Sequence, residues 1–84
     1  MLYQVKYNSK IAKNVIKAFK EIHAMKVCHG DVRCENILVR PDDSVVVIDF
    51  ESSELDADPE SLNAEMREVQ YLLTSLKHKV DLAS

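Results

Sequence analysis

Glycine is nearly absent from this chain. Of 84 residues only Gly30 is glycine, and only Pro41 and Pro59 are proline. That scarcity excludes a flexible linker or a low-complexity protein. The two cysteines, Cys28 and Cys34, are too few for a disulfide framework, so the expected setting is reducing and intracellular. No apolar run approaches the roughly 20 residues that span a bilayer. Residues 1–6 lack the charged region and apolar core of a signal segment. Positive charge is not in excess either. A net charge of -3 gives no support to nucleic acid or an anionic membrane surface as a partner. Lysines do crowd the first third, at Lys6, Lys10, Lys13, Lys17, Lys20 and Lys26. Most fall on the outer side of an expected helix, which reads as a solvated face.

What remains is an ordinary globular composition, 46% apolar and 30% charged, in a length that allows one small domain or part of a larger one. Its core must be modest. Residues 1–8 alternate loosely and read as a strand remnant or a frayed lead-in. Asn8 or Ser9 is a suitable N-cap, and Ile11, Val15, Ile16, Phe19, Ile22 and Met25 recur at helical spacing, so a helix is expected over about 9–25. Residues 26–28 read as extended. Gly30 marks a special backbone conformation or the close approach of a neighbour. Ile37-Leu38-Val39 and Val45–Ile48, joined by the turn Arg40-Pro41-Asp42-Asp43-Ser44, predict a β-hairpin. An acidic loop follows over 51–58. Asp58-Pro59 then signals a helix start, and Leu62, Met66, Val69, Leu73, Leu76 and Val80 carry the helix to about Lys79. Lys77, His78 and Lys79 suit the negative end of its dipole.

Chemistry concentrates between His29 and Asp49. Asp31 and Asn36 flank a loop, and Asp49 closes the second hairpin strand. Hard oxygen donors of this kind suit Mg²⁺, which takes one or two carboxylates and completes its shell with water and phosphate oxygens. A carboxylate such as Asp31, near the metal but outside its shell, could accept a hydroxyl proton. Arg33 could neutralise charge on a transferred phosphate. His23, Cys28, His29 and Cys34 are zinc-ligand types, but their spacing is not a paired C-x-x-C set. Cys28 and Cys34 read as small, inert hydrophobes.

The segment His29-Gly30-Asp31-Val32-Arg33-Cys34-Glu35-Asn36 resembles the H-R-D-L-x-x-x-N catalytic loop of the protein-kinase-like superfamily, and Asp49-Phe50-Glu51 resembles its D-F-G metal motif. Ile22-His23 is similar to the Leu-His that ends the long helix before that loop. The resemblance covers about residues 9–51. It implies an α+β fold, a partial kinase-like C-lobe laid out as helix, catalytic loop, β-hairpin, loop and helix, in one partial domain over 1–84. It also implies roles: Asp31 as catalytic base, Arg33 on the transferred phosphate, and Asn36 and Asp49 as ligands of the Mg²⁺ that binds ATP. His29 would organise the loop, and Phe50 would pack behind the metal site.

Departures from the pattern carry information too. Gly30 replaces the Arg that in many kinases reads a phosphorylated activation loop, so that control is not expected. Glu51 replaces the last Gly of D-F-G, and no A-P-E follows. The H-G-D and D-F-E pairing resembles atypical kinases, including the aminoglycoside and choline type and fungal kinase-like proteins. One glycine cannot make a Gly-rich phosphate loop, and residues 1–8 cannot supply a nucleotide-binding lobe. The implied function is a kinase-like phosphotransferase fragment, moving the ATP γ-phosphate to a hydroxyl of a protein Ser/Thr or a small molecule, and incomplete alone. The alternatives are a non-catalytic kinase-like interaction module or a truncated gene product. Expected partners are nucleotide, once a complete lobe is supplied, and a protein partner or a second copy on exposed apolar surface.

Overall fold

A computed structural model describes residues 2–83, with the side chains of 2–82; Met1 and Ser84, the ends of the expected 1–84 unit, lie outside the described residues. Five elements follow in order: β1 (Tyr3–Gln4), α1 (Ser9–Ala24), β2 (Ile37–Val39), β3 (Val45–Val47) and α2 (Pro59–Ala83). A single 3₁₀ turn, Cys34–Asn36, precedes β2. The architecture is α+β, two helices against a small antiparallel sheet.

α1 begins where Asn8 Oδ1 accepts the Ile11 N–H at 2.8 Å, which satisfies one of the orphan donors of the first turn. Ile11, Val15, Phe19 and Ile22 are its buried residues. Their spacings of four, four and three put them on one face. Met25, expected in that stripe, instead caps the helix and is 69% exposed. Residues 26–28, expected to be extended, open with Lys26 at φ 60; only Cys28 bridges like a strand, to Glu54.

The hairpin closes as the turn residues direct. Arg40 N donates to Ser44 O (2.8 Å), and Asp42 Oδ1 accepts from Ser44 N (3.0 Å). Asn14 Nδ2 on α1 donates to Asp43 O (2.8 Å) and pins the turn to the helix. The lead-in joins the sheet: Tyr3 pairs with Val39 and Gln4 with Leu38, giving strand order β1-β2-β3. A bare hairpin is barely stable in water. Here it gains a third strand and the cover of α1.

α2 starts at Asp58, whose Oδ1 accepts from Ser61 N (2.7 Å), with Pro59 in the first turn, where its missing N–H costs nothing. It runs to Ala83, past the expected end near Lys79, so Lys77, His78 and Lys79 lie before the last turn rather than in it. Val80, expected on the apolar stripe, is 45% exposed. The core is Val5, Ile11, Val15, Phe19, Ile22, Ile37, Val39, Val69 and Leu73, drawn from both helices, β2 and the lead-in. Burying Phe19 alone contributes about 2–3 kcal/mol.

Candidate active site

One buried carboxylate holds the loop that carries the candidate residues. Glu65, on α2 and 3% exposed, accepts four hydrogen bonds. His29 N donates to Oε1 (2.9 Å) and Gly30 N to Oε2 (2.8 Å). His23 Nε2 donates to Oε1 (2.7 Å) and Cys28 Sγ to Oε2 (3.3 Å). Burial opposes ionisation of Glu65, but the bonds from Gly30, His23, His29 and Cys28 outweigh it and hold the group below the usual carboxylate range. The sequence reading missed Glu65. Its signal was present: an acid three residues after Leu62 and four before Val69, on the face that packs inward.

His29 is fully buried. Its Nε2 lies 2.8 Å from Ile48 O, and its Nδ1 lies 3.1 Å from Asp31 N. A carbonyl only accepts and an amide only donates, so the ring carries its hydrogen on Nε2. The ring thus ties the start of the loop to the end of β3. Phe19 and Phe50 both meet it edge-on, with ring centroids at 6.0 Å and 4.7 Å. His29 thus links the loop to the strand, and Phe50 packs against its ring.

Asp31, Arg33 and Asn36 come together. Arg33 Nε donates to Asp31 Oδ1 (2.7 Å), and Asn36 Nδ2 donates to both Asp31 Oδ2 (3.1 Å) and Asp31 O (2.9 Å). The Arg33 bond, then the Asn36 bond, lower the Asp31 carboxyl against the partial desolvation that raises it. Asp31 is thus ionised at neutral pH and its orientation is fixed from both sides. Asn36 is itself buried, at 6% exposure, and its backbone O accepts from Ile48 N (2.9 Å), which ties the loop to the strand leading into Asp49.

Asp49 sits at φ 63, in the left-handed region that β-branched and bulky residues avoid and Asp tolerates. Its carboxylate is exposed, with one long bond from Glu51 N (3.4 Å), and its field reaches Arg33. The donor set fits Mg²⁺: both amide hydrogens of Asn36 are directed at Asp31, which leaves its Oδ1 as an acceptor, and Asp49 keeps an accessible carboxylate. No group of three His, Cys, Asp or Glu side chains that could hold a metal occurs among the described residues. The zinc-ligand types are therefore not gathered into a site.

Burial, then the bond to Glu65, push the Cys28 thiol up to about 11. Alkylation of Cys28 by iodoacetamide at pH 8 is therefore expected to be negligible over minutes, and to become fast in urea. Mass spectrometry of the peptide containing Cys28 checks this.

The loop that carries Asp31, Arg33 and Asn36 and the strand end that leads into Asp49 are thus joined by one histidine, and the loop is anchored to α2 through Glu65. The sequence profile of the protein kinase domain matches residues 1–75. The chain belongs to the protein kinase domain family. It is also similar to the "probable serine/threonine-protein kinase fnkE" of Dictyostelium discoideum, with 36% identity over 59 residues. The match covers 61% of this chain and 4% of that kinase, so the chain spans a small fraction of its curated relative. No solved structure matches significantly. No helix among the described residues is long and apolar enough to cross a membrane.

Proposed function

We infer that these residues serve phosphoryl transfer from ATP to a hydroxyl, and that the 84 residues hold the catalytic-loop part of one kinase domain. The observation that carries this reading is Asp31, a carboxylate steadied by Arg33 at 2.7 Å and Asn36 at 3.1 Å. A general base must be ionised and aimed before its substrate arrives. Asp31 would accept the acceptor hydroxyl's proton as that oxygen attacks phosphorus. Arg33 is 59% exposed at its side chain, so its guanidinium can turn from Asp31 toward phosphate oxygens. Asn36 Oδ1 and the Asp49 carboxylate would hold Mg²⁺. Bound there, the ion would offset the charge of the ATP phosphates.

An open groove of about 740 Å³ is lined by Val32–Glu35, the residues that follow the base in the loop, and by Arg67, Tyr71 and Leu72 of α2. It is placed to receive the acceptor. The serine/threonine kinase similarity favours a protein hydroxyl. The non-catalytic module is the second reading; a Gly-rich loop over the phosphates would have to come from outside these 84 residues, which include a single glycine. Positioning supplies most of the catalysis in phosphoryl transfer, so the chain is expected to turn over slowly unless an ATP-binding lobe is supplied.

Nucleotide binding separates the two readings. With an ATP-binding lobe supplied, millimolar Mg-ATP is expected to raise the melting temperature by about 1–4 °C, the effect of a ligand near its dissociation constant or a few times above it. Asp49→Ala should abolish that shift. Asp31→Asn should keep it and remove any transfer of phosphate to acceptor. A melting temperature that nucleotide leaves unmoved in the wild type with that lobe supplied favours the module.

A further inference from the structure

The end of α1, the loop before α2 and the first turns of α2 enclose an open cleft of about 720 Å³. Small-molecule sites span about 300–1,000 Å³. Asp31, Arg33, Asn36 and Asp49 do not line it. Its walls are mainly apolar, with Ala24 from α1, Ala57 from the loop, and Pro59, Leu62 and Met66 from α2. Ala57 N donates to Lys26 O at 2.9 Å, which fastens the loop to the chain just past α1 and fixes the shape of the cleft.

Two features specify an occupant. The first is charge. Lys20 and Lys26 line the cleft together with Asp56 and Asp58, so the signs cancel and neither an anion nor a cation is favoured. The second is His23, which lines the cleft with a side chain only 11% exposed. Its Nε2 lies 2.7 Å from Glu65 Oε1. A carboxylate only accepts, so the ring carries a hydrogen on Nε2, and in the neutral ring Nδ1 is then an acceptor. No described residue donates to Nδ1. Every wholly buried side-chain nitrogen and oxygen among the described residues has a partner, so Nδ1, which has none, reaches the surface. Apolar walls, cancelled charge and one open acceptor describe a neutral apolar molecule with a hydroxyl to donate.

We propose that this cleft binds a neutral apolar alcohol or phenol whose hydroxyl donates to His23 Nδ1, and that the ligand steadies the Asp31 loop through Glu65. The hydroxyl recognises the tautomer with its hydrogen on Nε2 and not the other, so occupancy favours the ring that serves Glu65. Glu65 in turn holds His29 N at 2.9 Å and Gly30 N at 2.8 Å, immediately before Asp31. The cleft and the loop are thus two sites coupled by one histidine and one carboxylate. The consequence for phosphotransfer rests on Asp31 being the base; the binding and the coupling do not.

The test is a titration of the ¹⁵N-labelled chain at pH 8 with 4-phenylphenol, 4-methoxybiphenyl and biphenyl-4-carboxylate, which share one apolar body. 4-Phenylphenol is expected to give saturable shifts at the Ala24, Ala57 and Leu62 amides. Smaller shifts are expected at the His29 and Gly30 amides, which do not line the cleft. The methoxy probe cannot donate and should bind about tenfold more weakly, the scale of one hydrogen bond. The carboxylate probe should also bind more weakly than the phenol. Leu62→Ala trims a wall residue that lies outside the core, and should weaken 4-phenylphenol about fourfold, the scale of one buried CH₂. His23→Phe keeps the bulk of the ring without its nitrogens and should bind the phenol and the methoxy probe alike. The comparison of probes on the wild type needs no variant to fold. The proposal is overturned by absent shifts in the cleft, by a methoxy or carboxylate probe that binds as tightly as the phenol, or by His29 and Gly30 amides that stay unmoved at saturation. None of these readouts requires turnover, so they are independent of the phosphotransfer reading.

Discussion

Glu65→Ala is expected to cost about 3–5 kcal/mol of folding stability, measured as the shift of the urea midpoint. Two backbone donors, His29 N and Gly30 N, lose their acceptor inside the protein, and so do His23 and Cys28. A buried donor left unpaired costs about 1–3 kcal/mol, and breaking a buried charged cluster about 3–5. A chain of this length has about 4–12 kcal/mol in total, so the variant is expected to be largely unfolded near 37 °C. Glu65→Gln keeps an acceptor oxygen and should lose less. An unchanged midpoint in the alanine variant would mean that the carboxylate does not hold the loop.

The same group sets a pH limb. Glu65 ionises below its ordinary value in the folded chain, so its contribution is complete above the unfolded value of about 4.3. It is lost as pH falls through the lower folded value. Urea midpoints from pH 7 to pH 3 should therefore fall more steeply for the wild type than for Glu65→Gln. Asp31, Asp42 and Asp58 are depressed too and contribute to both curves alike, so the difference isolates Glu65.

Gly30→Ala carries the second large effect, about 2–3 kcal/mol, or roughly 10–20 °C in melting temperature. Gly30 sits at φ +88, and a Cβ there would lie 2.3 Å from Ser52 O and 3.0 Å from Ser52 C. Both are backbone atoms, so no side chain can turn aside. The loop cannot simply retreat, because Cys28 and Glu54 exchange two backbone bonds, at 3.0 and 2.9 Å, two residues to either side. Gly30→Arg restores the commoner residue of the kinase motif and is expected to be no better tolerated than alanine. A Gly30→Arg chain that melts with the wild type would refute the close approach of Ser52. The observed packing gives a physical reason for the departure: the Ser52 carbonyl fills the space an arginine stem would need.

Elements were legible where a local signal dictates them. Asn8, the four-four-three spacing of Ile11, Val15, Phe19 and Ile22, and Asp58-Pro59 define both helix starts within one turn's chemistry. The β-branched residues around the Asp42-Asp43 turn define the hairpin. Ends were less legible. α2 continues to Ala83 because nothing after Lys79 breaks a helix, and Met25 leaves the stripe because the chain turns at Lys26.

Motif spacing also marked Asp31, Arg33 and Asn36 before any contact was known, since all lie within one short loop. The sequence by itself determined the residue chemistry, the helix and hairpin positions, and membership of a kinase-like pattern. Tertiary structure alone decided three things. It brought Glu65 from 36 positions along the chain to the His29 amide, set Ser52 against Gly30, and enclosed a cleft between Ala24 and Leu62. Each joins groups distant in the chain. Local propensity acts over a few residues and carries no information about them. A buried carboxylate becomes an anchor only when the fold delivers donors to it, and at position 65 an acid on an apolar stripe was the one trace of that outcome in the sequence.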